Sequence, residues 1–176
     1  MRFKDKIVIV TGSSRGIGRA TAIAFAREGA NVVVNYIKNK KASDEVVAEI
    51  KILGRDAISV QADVASEDDV KRMVKEAVQH FGAIDVLVNN AGIVWDIPIF
   101  TKTVEQWERT IRVNLIGTFL CVKYAVPHMK DRTGASILNI SSTNGIDSLS
   151  PDSADYDTSK AGVISLTKNL SQALAP

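Results

Sequence analysis

Cysteine is almost absent from these 176 residues: Cys121 stands alone, so no internal disulfide can form, and a reducing compartment suits the chain. Its apolar neighbours in a predicted helix mark it as a packing residue, not a nucleophile. Histidine is nearly as scarce, and one cysteine with two histidines leaves no cluster of metal ligands. A surplus of one charge is missing too. The formal net charge is +2, and the densest basic group, Lys38, Lys40 and Lys41, is short, which argues against nucleic acid or a membrane surface as partner. No apolar run approaches the length of a membrane span, and Met1-Arg2-Phe3-Lys4-Asp5 lacks the apolar region of a secretion signal. The expected location is the cytoplasm. What is present, 45% hydrophobic and 24% charged residues, is the composition of an ordinary globular protein, and the length makes a single domain over 1–176.

The chain is organised around Thr11-Gly12-Ser13-Ser14-Arg15-Gly16-Ile17-Gly18. Before it, Lys6 to Val10 is a short β-branched run that reads as a strand buried on both faces. After it, Ile17, Ala20, Thr21, Ala24 and Phe25 fall at helical spacing up to Glu28, and Gly29 sits where a helix is capped. In a strand–turn–helix unit of this kind Gly12 permits the turn and Gly16 lets backbone approach a diphosphate. Gly18 lets helix and strand pack closely, and the free N–H groups of the helix start face the anion. The turn residues Gly12, Ser14, Arg15, Gly16, Ile17 and Gly18 are therefore predicted to bind a dinucleotide.

Further strands are predicted at Ala30–Tyr36, Ala57–Gln61, Ile84–Val88 and Ala135–Ile140. The predicted helices cover Ala42–Leu53, Ser66–Phe81, Val104 to about Lys130, and Asp155–Leu174. Ser66 opens its helix with three acids in the first turn, and Thr103 with Gln106 has capping-box spacing. Such alternation implies an α/β fold: a three-layer, Rossmann-like, doubly wound parallel sheet. The second strand ends in Asn35-Tyr36-Ile37-Lys38 with no carboxylate before Asp44. An NAD-selective enzyme commonly places an acid there, whereas Arg15 and Lys38 suit a 2′-phosphate, so NADP is favoured and NAD remains possible. Asp63 is either an adenine-amine acceptor or a turn aspartate, and Asn89-Asn90-Ala91-Gly92 either lines the cofactor crevice or satisfies backbone. The loop from Ile93 to Thr101 is apolar enough to border a substrate pocket. The polar loop between Ser141 and Asp155 is expected to be mobile.

Tyr156 and Lys160 are four apart on the last helix and share a face. A free tyrosine holds its proton too tightly for acid–base work near neutrality, and an ammonium one turn away favours the phenolate. Ser142, at the end of a neighbouring strand, is placed to hold a substrate oxygen. Asn114, a polar residue among Val113, Leu115 and Ile116, needs a partner.

Together, Thr11-Gly12-x-x-x-Gly16-x-Gly18, Asn89-Asn90-Ala91-Gly92, Asn114, Ser142 and Tyr156-x-x-x-Lys160 resemble the short-chain dehydrogenase/reductase family in its compact form, from about Phe3 to Ala175. The resemblance implies that Tyr156 is the general acid–base and that Lys160 binds the nicotinamide ribose and tunes it. Ser142 would orient the carbonyl or alcohol, and Asn114 would hold a water leading from Lys160 to solvent. Asp63 and Val64 would contact adenine, and Asn90, Ala91 and Gly92 would flank the adenosine ribose. Arg15 resembles the NADP-preferring members. Ser142 lies one residue further from Tyr156 than is usual in the family, a spacing that would select Thr143; the match of Asn139-Ile140-Ser141-Ser142 to the strand-end pattern keeps the assignment at Ser142. Among subfamilies the chain is most similar to 3-oxoacyl-(acyl carrier protein) reductases and to sugar or polyol dehydrogenases. A non-catalytic dinucleotide-binding module is the alternative from another class. Expected partners are a small carbonyl or alcohol substrate, free or bound to acyl carrier protein, and further copies of the chain in a tetramer or dimer, since long helices like Val104–Lys130 and Asp155–Leu174 pair across tetramer interfaces in such proteins. Family members also continue past the position of Pro176 through two further strands that bring the substrate lid, and without those strands the fifth strand is an exposed edge.

Overall fold

Period-two sorting of valine, isoleucine and leucine builds the sheet. In β1 (Ile7–Val10), Val8 and Val10 join one apolar cluster while Ile9 joins another. The same alternation divides Val32 and Val34 from Val33 in β2 (Asn31–Tyr36), and Val86 and Val88 from Leu87 in β4 (Val86–Asn89). Side chains of a strand point alternately to opposite faces, so each of these strands feeds two cores at once. With β3 (Ala57–Gln61) and β5 (Ser136–Asn139) they form one fully parallel sheet in the order β3-β2-β1-β4-β5. The computed structural model describes residues 1–175.

Helices α1 (Gly16–Arg27) and α2 (Lys40–Ile52) cover one face through Ala22, Ile23, Ala26, Val46 and Ile50. Helices α3 (Glu67–Phe81) and α5 (Gly117–Ala125) cover the other through Val70, Met73, Val74, Leu120, Cys121 and Ala125. The expected three-layer, doubly wound architecture is present. Ser66 accepts from the Asp69 amide at the start of α3, Gly82 closes it in the left-handed region, and Thr103 and Gln106 form a complete capping box at α4 (Val104–Ile111).

One expectation needs correction. The stretch from Val104 to Lys130 is not an uninterrupted α-helix: α4 runs through a π-helical turn at Arg112–Ile116 into α5, which ends in a tight turn at Val126–His128 around Pro127. A π-turn adds one residue to the helical circuit and is common at functional sites. Asn114 lies at its centre. Proline lacks the donor that would continue the helix, which accounts for the change of winding at 126–128. The last helix, α6 (Ala154–Ala173), packs on α4 and the π-turn. Strand order reverses between β1 and β4, so their carboxyl ends open a crevice at the switch point, the usual ligand position in such sheets. Beside the open edge of β5, a hollow of about 550 Å³ lies against α6 and contains none of the candidate site residues.

Candidate active site

The crevice at the switch point has a volume of about 360 Å³. Gly12, Ser14, Arg15, Gly16, Ile17, Gly18, Asn35, Tyr36, Asp63, Val64, Asn90, Ala91 and Gly92 line it. Lys38 is exposed past the end of β2 and lies outside the lining. The three turn glycines serve different ends. Gly12 has φ +63°, and a Cβ there would stand 3.0 Å from Ala91 Cα. A Cβ on Gly18 would meet Asn90 Nδ2 and the Gly12 carbonyl at 2.5 Å, so helix and strand approach as closely as backbone allows. A Cβ on Gly16, which has φ +58°, would meet nothing within 4 Å and would face open space. No side chain caps the start of α1, so its first amides are available to a ligand. A diphosphate fits this cradle: bare glycine backbone, uncapped donors and Arg15 at the rim.

The amides around the crevice are occupied in holding that cradle. Asn90 donates from Nδ2 to the Thr11 carbonyl at 2.8 Å, and Thr11 Oγ1 accepts from the Asn90 and Ala91 amides at 3.0 Å each. Asn35, near the end of β2, turns inward. It is buried; its Oδ1 accepts from the Gly12 amide at 2.9 Å and its Nδ2 donates to the Ala62 carbonyl at 3.0 Å. Asn35 thus braces the glycine turn. Asp63 accepts from the Ala65 amide at 3.0 Å and pairs with Arg109, whose Nη2 lies 2.8 Å from Oδ2. Arg109 also lines the crevice, a contribution the sequence reading missed; its one signal was a cation on the helix that follows the apolar loop.

Beyond Gly92 the crevice meets the second half of the site. Lys160 is buried and donates from Nζ to the Ile140 carbonyl at 2.6 Å. Burial lowers its pKa below the ordinary lysine value. The Tyr156 ring centroid lies 5.7 Å from that nitrogen, and among the described residues the phenol has no hydrogen-bond partner. A Cβ on Gly92 would stand 3.6 Å from Lys160 Nζ and 3.3 Å from Asn114 Oδ1, so ammonium, amide and crevice end converge on one point. Asn114 is fully engaged: Oδ1 accepts from the Ile93 amide at 2.9 Å, and Nδ2 donates to the Ile93 carbonyl and to Ser159 Oγ, both at 2.9 Å. Ser159, also unforeseen, passes this on by donating to the Tyr156 carbonyl at 2.6 Å, linking the π-turn to the Tyr156–Lys160 turn. Ser142 caps the short turn Thr143–Gly145, accepting from the Asn144 amide at 3.2 Å. Thr143, the alternative, is exposed. Gly145 is indispensable to the packing here, since a Cβ would meet the Lys160 carbonyl oxygen at 2.8 Å. Ser141 donates to that same oxygen at 2.9 Å.

The sequence pattern of the short chain dehydrogenases matches residues 6–176. The chain belongs to that family. A 3-oxoacyl-(acyl-carrier-protein) reductase of Staphylococcus aureus is 46% identical over 170 residues, covering 97% of this chain and 69% of the relative. One from Synechocystis is 45% identical, covering 97% of this chain and 68% of the relative. The crystal structure of a dehydrogenase/reductase from Sinorhizobium meliloti superposes with a TM-score of 0.95 at 34% identity, over 98% of this chain and 68% of that one. As a short-chain dehydrogenase the chain is an oxidoreductase, and among its described residues no helix is long and apolar enough to cross a membrane.

Proposed function

We propose that the protein is an NADP(H)-dependent ketoreductase acting on 3-oxoacyl groups carried by acyl carrier protein, with Tyr156, Lys160, Ser142 and Asn114 as its chemical centre. One observation carries the reading: a buried ammonium, Lys160, is fixed on the Ile140 carbonyl beside an unpartnered phenol, where the glycine-lined crevice ends at Gly92. The resemblance to reductases of that activity supplies the substrate class.

A bound nicotinamide dinucleotide supplies the hydride. The chain's residues supply the proton and the geometry. Tyr156 donates its phenolic proton to the substrate oxygen, and the Lys160 ammonium favours the phenolate left behind. The burial of Lys160 strengthens that attraction, since charges interact more strongly away from bulk water. Ser142 accepts from the Asn144 amide at 3.2 Å and donates to Asn144 Oδ1 only at 3.5 Å, a long contact that the same substrate oxygen can replace. Asn114 fixes Ile93 and, through Ser159, the Tyr156–Lys160 turn, so its part is to hold the phenol in place. The absence of a carboxylate from the end of β2 and the exposed Arg15 at the crevice rim support NADP over NAD.

Steady-state kinetics with a 3-oxoacyl thioester test this directly. Tyr156→Phe is expected to lower kcat by at least about 100-fold while NADPH still binds. Cofactor binding with no turnover of any carbonyl substrate by the unsubstituted protein refutes the enzymatic reading, and a higher kcat/KM with NADH refutes the NADP assignment.

A further inference from the structure

Tyr156 is flanked in sequence by two aspartates, and both are buried: Asp155 is 0% and Asp157 7% exposed. On a helix the residues before and after Tyr156 are rotated from it by about 100° in opposite senses, so the two carboxylates diverge to either side of the phenol. Each reaches a different loop. Asp155 pairs with Lys102, itself buried, whose Nζ also donates to the Trp95 carbonyl at 3.1 Å and the Asp152 carbonyl at 3.2 Å. That side binds the apolar loop 93–102 after β4. Asp157 accepts from Asn144 Nδ2 at 2.9 Å, Ser148 Oγ at 2.8 Å and Ser153 Oγ at 2.9 Å, three donors spread along the loop that begins at Ser142. The loops are also joined to each other, by the Ile97 amide on the Asp152 carbonyl at 3.0 Å.

Burial alone disfavours both carboxylates, yet the hydrogen bonds they accept hold both pKa values below the ordinary aspartate value. Asp157 thus spends both of its oxygens on Asn144, Ser148 and Ser153, whereas Asp155 holds Lys102 through Oδ1 and keeps a buried Oδ2 without a partner. Trp95, Ile146 and Leu149 stand partly or largely exposed on those loops.

We propose that Asp155 and Asp157 are positioning residues that fasten the two walls of the substrate cleft to the helical turn carrying Tyr156, fixing the gap in which the phenol meets the carbonyl. The proposal rests on the function proposed above. It gives the polar composition of the loop 141–155 a purpose, since three donors converging on one acceptor replace the apolar anchors the loop lacks.

The test uses Asp157→Asn and Ser148→Ala for one wall and Asp155→Asn for the other, in otherwise unaltered protein. The readouts are kinetics with NADPH and a 3-oxoacyl thioester, NADPH affinity by fluorescence, and amide hydrogen exchange. Asp157→Asn is expected to lower kcat at least about ten-fold, since a small misplacement of reacting groups costs this much or more. NADPH affinity stays within two-fold, and exchange quickens in 143–153 but not in 86–89. Ser148→Ala, which removes one donor of three, gives an intermediate effect, and it carries the test if Asp157→Asn does not fold. Asp155→Asn acts likewise, with faster exchange in 93–102. A kcat within two-fold of the unsubstituted protein overturns the proposal, as does a loss of NADPH affinity equal to the loss of kcat, which marks general damage. Where the unsubstituted protein reduces no carbonyl substrate, the proposed function fails, and exchange alone decides the tether: quickening confined to the tied loop upholds it, and unchanged rates refute it.

Discussion

Replacing Gly18 with alanine tests the packing on which the cofactor crevice depends. The added carbon would lie 2.5 Å from the Gly12 carbonyl oxygen and from Asn90 Nδ2, and 2.9 Å from Ser13 Cα. Ordinary contact begins near 3.5 Å, so the overlap is about 1 Å and involves backbone that cannot swing aside. Overpacking of this kind costs about 1–3 kcal/mol. In a domain of this size each kcal/mol moves the melting temperature by about 2–4 °C, so a fall of roughly 2–12 °C is expected. To relieve the overlap α1 must back away from the turn, pulling its first amides from the place a diphosphate would occupy. NADPH affinity should therefore fall by about ten-fold or more, as expected when a helix-terminus anion site is lost. Gly54→Ala is the control, because Gly54 has φ +74° but nothing within 4 Å of a new Cβ and lies away from the crevice. It should cost about 1 kcal/mol of backbone strain and leave NADPH binding unchanged. Thermal melts by circular dichroism and a fluorescence titration with NADPH decide the matter. If Gly18→Ala melts with Gly54→Ala and binds NADPH as the unsubstituted protein does, the close approach of α1 to β1 is wrong.

Three further outcomes follow from groups away from the turn. Burial pushes the Cys121 thiol up to about 12, so it should ignore a disulfide reagent at pH 8 and react fully once the protein is unfolded. Asp85 is fully buried at the opposite end of the sheet and accepts from the Ile7 amide at 2.9 Å, Lys6 Nζ at 3.0 Å and Arg132 Nε at 3.0 Å. Asp85→Ala leaves the Ile7 amide unpaired and should cost about 1–3 kcal/mol in urea melts near neutrality. Burial raises the Asp85 pKa, but Arg132, Ile7 and Lys6 outweigh it and hold the value low. Its contribution is thus present above the unfolded value near 3.8 and lost as pH falls through the folded one, so the variant should show a shallower acid dependence. Lys160 has the reverse sign. Its folded pKa is lowered by burial, so between that value and 10.5 the unfolded chain holds more protons and stability rises with pH. Melts of Lys160→Met should lack that rise, and a rise of equal slope in the variant would assign it to another group.

The strands and helices were legible because their periodicities are strong and their ends are marked. Gly29, Gly54 and Gly82 all take positive φ just beyond the helices they follow, and β3 has the boundaries its sequence suggests. The π-turn at Arg112–Ile116 was not legible, because a single extra residue in a helical circuit leaves the apolar spacing nearly intact. The residue that follows it, Gly117, packs against an element distant in sequence, where a Cβ would meet Val64 Cγ2 at 2.8 Å. In the site, residue types and order revealed the cradle and the Tyr156–Lys160 pair. They did not reveal how the amides are used. Asn35 and Asn114 look like ligand groups in the sequence, yet their carboxamides are taken up by Gly12, Ala62, Ile93 and Ser159, partners fixed only when the strands and helices assemble.

The inward-turned Asn35 constrains where a coenzyme-selecting acid can stand at the end of β2. An acid at the end of β2 favours NAD, and position 35 is the next-to-last residue of that strand. An aspartate there keeps the acceptor for Gly12 but loses the donor. It sets an anion 3.0 Å from the Ala62 carbonyl oxygen and within 3.4 Å of the Val60 carbonyl oxygen, in a pocket closed to water. Two electronegative oxygens without an intervening proton would push the strand end apart and loosen the turn that any dinucleotide needs. Coenzyme preference and turn geometry are therefore coupled through one carboxamide, and a shift of preference has to come from Tyr36, Ile37, Lys38 or Arg15, outside that buried knot.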